Sequence, residues 1–356
     1  MTSDISRPAL LSVTEALARV IDAMPLMQAE EVSVADAFAR VTAAPVLSRR
    51  TQPPTDVSAM DGYAVRAADV ARVPATLKRI GSAPAGGSFD ATVGRGEAVR
   101  IFTGGPVPDG ANAVVIQEHV VADFENDGAT ITVRNTTSKG HYIRAAGLDF
   151  REGDVGIKAG HSITARDAGL AAAMNVPWIR VRQRPKVAIL ATGDEIVRPG
   201  ETVGANQIVS SNSFALSALV RACGGEPTIL GIAPDTIEGI QQLLRGARGA
   251  DLVLTTGGAS VGEHDLIQQA LGPKASGPDS LEVNFWRIAM RPGKPLIFGK
   301  VGETPLLGLP GNPVSTLVCG MIFVKPAIEA MLGVNGKHHA FTRAKLGCAL
   351  APNDDR

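Results

Sequence analysis

With 356 residues the chain is too long for one compact core, so two to four domains are expected. Hydrophobic residues make up 45% and charged residues 20%, the balance of an ordinary soluble globular protein. Lys plus Arg and Asp plus Glu both number 35, so net charge offers no argument for a nucleic-acid or membrane-surface partner.

The three cysteines, Cys223, Cys319 and Cys348, lie far apart and in no metal-ligand spacing, which fits a reducing, cytoplasmic setting. No basic stretch followed by an apolar run opens the chain, so no signal peptide is expected. The longest apolar run, residues 317–324, is too short to span a bilayer.

In chain order, "SVTEALARVIDAM" reads as a helix. Ser12 with Glu15 three residues on is a capping-box arrangement, and Leu17, Val20, Ile21 and Met24 recur at helical spacing before Pro25. A second short helix, "SVADAFARV", is expected from Ser33. "RRTQPPTDVSAMDGYAV" reads as a proline-broken loop. Residues 73–143 then alternate short β-like runs with glycine and asparagine turns, the clearest strands being "EAVRIF", "NAVVIQEHVV" and "ATITVRN". Helix returns in "ITARDAGLAAAMNV". The expected division is an elongated N-terminal helical segment, 1–50, completed by 144–184, with a β domain, 51–143, inserted into it.

From Pro185 the pattern is strand–helix alternation. Strands are expected at "KVAILAT", "PTILGIA", "DLVLTT", "VNFWRIAM", "PLIFG" and "TPLLGL". Helices are expected at "SNSFALSALVRACGG", with Asn212 or Ser211 as cap, at "TIEGIQQLLRGA", "DLIQQAL" and "VSTLVCGMIFVKPAIEAML". Repeated β–α units imply an α/β domain over 185–332 with a three-layer, mostly parallel sheet.

Ligands of such sheets bind beyond the carboxyl ends of the strands. Those ends carry Gly193, Asp194 and Glu195; Asp235; Gly257, Gly258, Ser260 and Asp265; and Gly311, Asn312 and Ser315. Glycines let a ligand lie against backbone N–H groups, and a helix start adds positive potential, so a phosphate-like group suits the edge. Four carboxylates, Asp194, Glu195, Asp235 and Asp265, would meet there, which is costly unless a cation such as Mg²⁺ sits among them. Arg291 and Lys294 in "MRPGKP" are donors for an oxyanion. Each feature also has a plain structural explanation: Asp194 or Asp235 alone could be a helix cap or solvated loop acid, and Arg291 could pair with a surface acid. His264 has no ligand partners in sequence. No P-loop, complete G-x-G-x-x-G or G-x-S-x-G is present, which argues against the familiar nucleotide sites and serine acyl transfer.

In their order, "SAMDGYAV", "RIFTGGPVPDGANAVV", "IRAAGLDFREGD", "ILATGDEIV", "VLTTGGASVGEHD", "MRPGKPLIFG" and "GLPGNPVS" resemble the molybdopterin molybdenumtransferase family (MoeA and gephyrin E-domain type) over nearly the whole chain. That resemblance implies Mg²⁺-dependent insertion of molybdate into adenylylated molybdopterin with release of AMP. By motif it implies that Asp235, Ser260, Asp265, Arg291, Lys294 and Ser315 line the site, with Glu195 near. Arg287 and Arg291 stand where family members often carry lysine. It implies a homodimer in which Asp61, Thr103 and Asp149 complete a site in trans, with molybdopterin adenylyltransferase and molybdoenzyme maturation factors as further partners. It also implies a small C-terminal β domain, of which 333–356 would be only the start. Other classes remain open: a non-catalytic pterin-binding scaffold of the same fold, or a pterin adenylyltransferase, although the latter would not be expected to carry the β insertion and "MDGYA".

Overall fold

The computed structural model describes residues 10–122, 127–257, 281–285, 288–334 and 342–349. They form two compact units. One comprises Met1–Ala44, Ala159–Thr164 and Trp178–Arg356; the other comprises Pro45–Lys158 and Ala165–Pro177.

The first unit begins with helix α1 (Val13–Asp22). Ser12 caps it by accepting the Glu15 N–H at 3.2 Å. The Glu15 carboxylate pairs with Arg19 at 2.7 Å on the outer face, while Ala16 and Val20 are buried. After strand β1 (Ala29–Ser33), the helix expected from Ser33 is a single 3₁₀ turn, Val34–Asp36. Its continuation is diverted. Ala39 takes φ +58°, and the Ala39 and Thr42 N–H groups donate to the carbonyls of Ile163 and His161 instead of to a preceding helical turn.

In the second unit, β2 (Val46–Leu47) and β3 (Val57–Ser58) are short. Strands β4 (Gly62–Val65), β5 (Ala75–Ala83), β6 (Glu97–Ile101), β7 (Ala113–Ile116), β8 (Val120–Ala122) and β9 (Thr130–Val133) form one sheet in the order β7-β4-β6-β5-β9-β8. The run "NAVVIQEHVV" is thus two strands, parted by a 3₁₀ turn at Gln117–His119. "GYAV", expected within a loop, is a fully buried inner strand. Gly62 is required there by close approach: a Cβ would collide with the carbonyl oxygen of Val115 on β7. Side chains alternate between two buried faces, Tyr63, Val65 and Leu77 on one and Ala64, Val99 and Ile101 on the other. β10 (Ile143–Arg144) pairs with β3, β11 (Val155–Ile157) pairs with β2, and helix α2 (Ala165–Ala173) follows.

Returning to the first unit, β12 (Trp178–Arg182) pairs antiparallel with β1. Then come β13 (Lys186–Thr192), the small parallel pair β14 (Ile196–Val197) and β15 (Ile208–Val209), helix α3 (Asn212–Ala222), β16 (Glu226–Ala233), α4 (Ile237–Leu244), β17 (Leu252–Thr256), β18 (Leu281–Phe285), β19 (Ile297–Val301) and β20 (Thr304–Leu309). The sheet order is β16-β13-β17-β20-β19-β18. The first four strands are parallel, and β19 and β18 close it antiparallel. Val187, Ile189, Leu252 and Leu307 pack on α3, α1 and the last helix; Ala188, Leu190, Val253 and Leu306 pack on α4. Both sheet faces are covered, which is why these strands are apolar without alternation.

The last helix is not uniform. α5 (Pro313–Cys319) leads through a π-helical turn, Gly320–Val324, into α6 (Lys325–Met331). Pro326 cannot donate to the preceding turn and its ring crowds that turn's carbonyl, and the widened turn accommodates both. By length and composition alone the 19-residue helix Pro313–Met331 is long and apolar enough to cross a membrane, as the buried core helix of a globular domain also can be. Its Phe323, Val324, Ala327 and Ile328 lie in the core of the α/β sheet. The helix expected at "DLIQQAL" and most of 333–356 lie outside the described residues, and 342–349 contain no strand.

Candidate active site at the carboxyl edge of the parallel sheet

Successive connections leave β13 in opposite directions, through α3 to β16 on one side and then back past it to β17 on the other. The resulting crevice, between the carboxyl ends of β13 and β17, is where a ligand finds strand ends and helix starts without a crossing connection. Gly257 occupies it with φ +88°, and a Cβ there would collide with the Thr192 carbonyl oxygen. The position therefore excludes any side chain. A Cβ on Gly311 would come within 3.5 Å of the Gly257 Cα, so the β17 and β20 exits lie side by side.

Asn212 ties these exits together. Its Nδ2 donates to Thr256 Oγ1 at 2.9 Å and to the Gly311 carbonyl at 2.7 Å. Sequence reasoning saw Asn212 only as a cap for α3. In fact Ser211 occupies the cap position and offers no side-chain acceptor to the helix. Asn312 does cap α5, its Oδ1 accepting from the Val314 and Ser315 N–H groups at 3.1 and 3.2 Å. Those two donors are therefore committed to Asn312, and Ser315 Oγ stands 3.4 Å from the same oxygen.

Asp194 and Asp235 face each other through reciprocal bonds. The Asp235 N–H donates to Asp194 Oδ1 at 3.0 Å, and the Asp194 N–H donates to Asp235 Oδ2 at 3.4 Å. Glu195 folds back over Gly193, where a Cβ would sit 2.6 Å from Glu195 Oε2. Burial pushes the Asp235 carboxyl above its ordinary value of 3.8; the Asp194 N–H pulls it down, and the charges of Asp194 and Glu195 push it up again. Three of the four expected acids thus gather at one edge. Among the described residues, however, no group of three or more His, Cys, Asp or Glu side chains is arranged to hold a metal ion. The fourth acid, Asp265, lies outside the described residues, with Gly258, Ser260 and Arg287. Arg291 is exposed and Lys294 half-buried, on a loop closed by the Ile288 N–H donating to the Lys294 carbonyl at 3.1 Å.

In the second unit, Asp61 Oδ1 accepts from both the N–H and the hydroxyl of Thr103, each at 2.7 Å. The N–H first, then the hydroxyl and the nearby Arg100 charge, hold the Asp61 carboxyl below 3.8. Asp149 pairs with Arg144 at 3.1 Å. Arg100 was not expected. It donates to the Gly62 carbonyl at 3.0 Å and to Gln117 Oε1 at 2.7 Å, with the Tyr63 and Phe102 ring centroids 5.2 and 4.9 Å away. Its place in an alternating strand, "EAVRIF", gave it no mark to separate it from a surface arginine.

A covered parallel sheet with glycines and acids at its switch point defines an α/β domain of the ligand-binding kind, accompanied here by a β-rich unit. Residues 11–175 match the family model described as "MoeA N-terminal region (domain I and II)", and 188–330 match "Probable molybdopterin binding domain". A molybdopterin molybdenumtransferase of Haemophilus influenzae is 35% identical over 91% of this chain and 78% of its own length. Molybdopterin molybdenumtransferase 2 of Mycobacterium tuberculosis is 34% identical over 95% of this chain and 84% of its own. The crystal structure of a molybdopterin biosynthesis MoeA protein from Pyrococcus horikosii superposes with a TM-score of 0.78 at 32% identity, covering 92% of this chain and 81% of that one. The chain belongs to the molybdopterin molybdenumtransferase (MoeA) family and is an enzyme of molybdenum cofactor biosynthesis.

Proposed function

We propose that the chain catalyses Mg²⁺-dependent insertion of molybdate into adenylylated molybdopterin with release of AMP. The observation that carries this reading is the Asp194–Asp235 pair beside the Gly257–Gly311 cradle. The cradle admits a phosphate against bare backbone, and the acids create a charge deficit that a hard cation relieves. Asp194, Glu195, Asp235 and Asp265 are the carboxylates that would hold Mg²⁺. Their oxygen-only chemistry fits that ion; burial is the main cause that raises Asp235, and the smaller upward push from the Asp194 and Glu195 charges is what a cation would offset. When bound, Mg²⁺ supplies charge neutralisation at the pyrophosphate link.

The chain's own residues do the rest. Gly257, Gly258, Ser260, Gly311, Asn312 and Ser315 position the pterin phosphate, with Asn212 keeping the two glycine exits in register. Arg287, Arg291 and Lys294 donate to molybdate and to the leaving phosphate. Asp61, Thr103 and Asp149, in the β-rich unit, complete the site in a cytoplasmic homodimer. Asp61, ionised throughout the physiological range, accepts hydrogen bonds rather than giving protons.

The test is AMP release from adenylylated molybdopterin with Mg²⁺ and molybdate, in the native chain and in Asp265→Ala. The native chain should release AMP and the variant should not, with its circular dichroism spectrum unchanged. Undiminished release by the variant removes Asp265 from the metal role, and no release by the native chain defeats the reaction assignment.

A further inference from the structure

Asp61 stands one residue before β4, where the ladder that β4 shares with β6 ends. On the β7 flank its carbonyl accepts the Gln117 N–H at 3.1 Å. On the β6 flank the Arg100 side chain takes over from the backbone. Its Nη1 donates to the Gly62 carbonyl at 3.0 Å, and its Nη2 donates to Gln117 Oε1 at 2.7 Å. One guanidinium therefore fixes the carbonyl of Gly62 and the side chain of the residue that fixes the carbonyl of Asp61. The same group lies 4.9 Å from the ring centroid of Phe102, which precedes Thr103. Gly104, at φ +81°, and Gly105 follow Thr103, and such residues give a turn little stiffness of their own. The Arg100–Phe102 contact stiffens its near side. Arg100 is half-buried and, among the described residues, forms no ion pair. Drawing a guanidinium partly out of water without a paired acid is costly, so the stability of the sheet is a poor reason for keeping it.

We propose that Arg100 is a positioning residue of the transferase, which locks the Asp61 segment and the Phe102–Thr103 turn together and so sets the direction of the Asp61 carboxylate. Both bonds from Thr103 fall on Asp61 Oδ1, at 2.7 Å each, and Oδ2 accepts none among the described residues. Oδ2 is therefore the oxygen left for a ligand, and its direction depends on how firmly the Asp61 and Thr103 backbones are held. Arg100 touches the neighbour of each: Gly62 after Asp61, and Phe102 before Thr103. It meets no substrate itself and acts through the pair. This inference rests on the reading of Asp61 and Thr103 as site residues given above.

The test compares Arg100→Lys and Arg100→Ala with the native full chain, by AMP release and by NMR titration of the Asp61 carboxyl resonance. Lysine keeps the charge but lacks the fork that serves two acceptors at once. Its kcat should fall about tenfold, and that of Arg100→Ala further, because misdirected groups slow the chemical step. The Michaelis constant for the pterin substrate should stay within about twofold, since no binding contact is removed. The Asp61 resonance, held down chiefly by the Thr103 N–H and hydroxyl, should titrate higher in both variants as those bonds loosen. Circular dichroism should be native; if Arg100→Ala does not fold, Arg100→Lys decides. Native kcat in both variants overturns the proposal, as does a raised Michaelis constant with kcat unchanged. The resonance is read without turnover, so its staying in place overturns the proposal whatever the rates. Asp61→Ala separates the two readings. Native AMP release by that variant defeats the role of Asp61 and this proposal with it. A defective Asp61→Ala beside fully active Arg100 variants defeats this proposal alone.

Discussion

Replacing Asn212 by Ala removes both hydrogen bonds that hold the β17 and β20 exits together, at 2.9 and 2.7 Å. A hydrogen bond of this kind contributes a net ~0.5–1.5 kcal/mol, so the pair sets a range of about 1–3 kcal/mol. The structure places the loss in the lower half of that range. Thr256 Oγ1 keeps its own acceptor, the Pro310 carbonyl at 3.4 Å, and water can reach the exposed side of the Gly311 carbonyl. The expected destabilisation is therefore about 1–2 kcal/mol, read by urea unfolding followed by circular dichroism, with the slope unchanged. A double-mutant cycle with Thr256→Val isolates one of the two bonds and should show a coupling of about 0.5–1.5 kcal/mol. Because the glycine exits would lose register, the Michaelis constant for the pterin substrate should rise as well. Additivity of the two substitutions within about 0.3 kcal/mol would refute the claim that Asn212 braces the edge through Thr256.

Three further outcomes follow from the same geometry. Gly257→Ala should cost about 2–4 kcal/mol in urea unfolding, from a positive φ combined with a collision against the Thr192 carbonyl; a loss under about 1 kcal/mol would mean the loop relaxes freely. Asp61, held down by Thr103, should titrate below 3.8, so whatever it adds to stability persists above that pH and is lost as pH falls through its folded value; Thr103→Val should move the carboxyl resonance titration upward, though not fully, because the backbone donor remains. Asp235 has the opposite sign. With its folded value raised, stability should decline as pH climbs from 3.8 through that value, and Asp235→Asn should flatten the decline and stabilise the metal-free protein at pH 7.

The strands of the α/β sheet were legible because each is a short apolar run bounded by glycines or capping residues, and burial on both faces leaves no competing pattern. Their order was not, since sheet order depends on which crossover passes which face, and that order creates the crevice between β13 and β17. "GYAV" escaped notice because four residues after a proline-rich stretch carry too little periodicity; their burial comes from β6 and β7 on either side. The helix expected after Ser33 failed for a tertiary reason, its donors being claimed by residues 161 and 163. At the site, Asp194, Glu195 and Asp235 could be placed because they follow strands directly. Asn212 and Arg100 could not, because their significance lies in partners distant in sequence.

The central claim is that carboxylates from the β13 and β16 exits share a divalent cation. Mn²⁺ titration of the metal-free protein by electron paramagnetic resonance, in the presence of AMP, tests it most directly. The native chain should take up the ion saturably, and Asp235→Asn should bind it at least tenfold more weakly. Equal affinity in the two proteins would contradict the account.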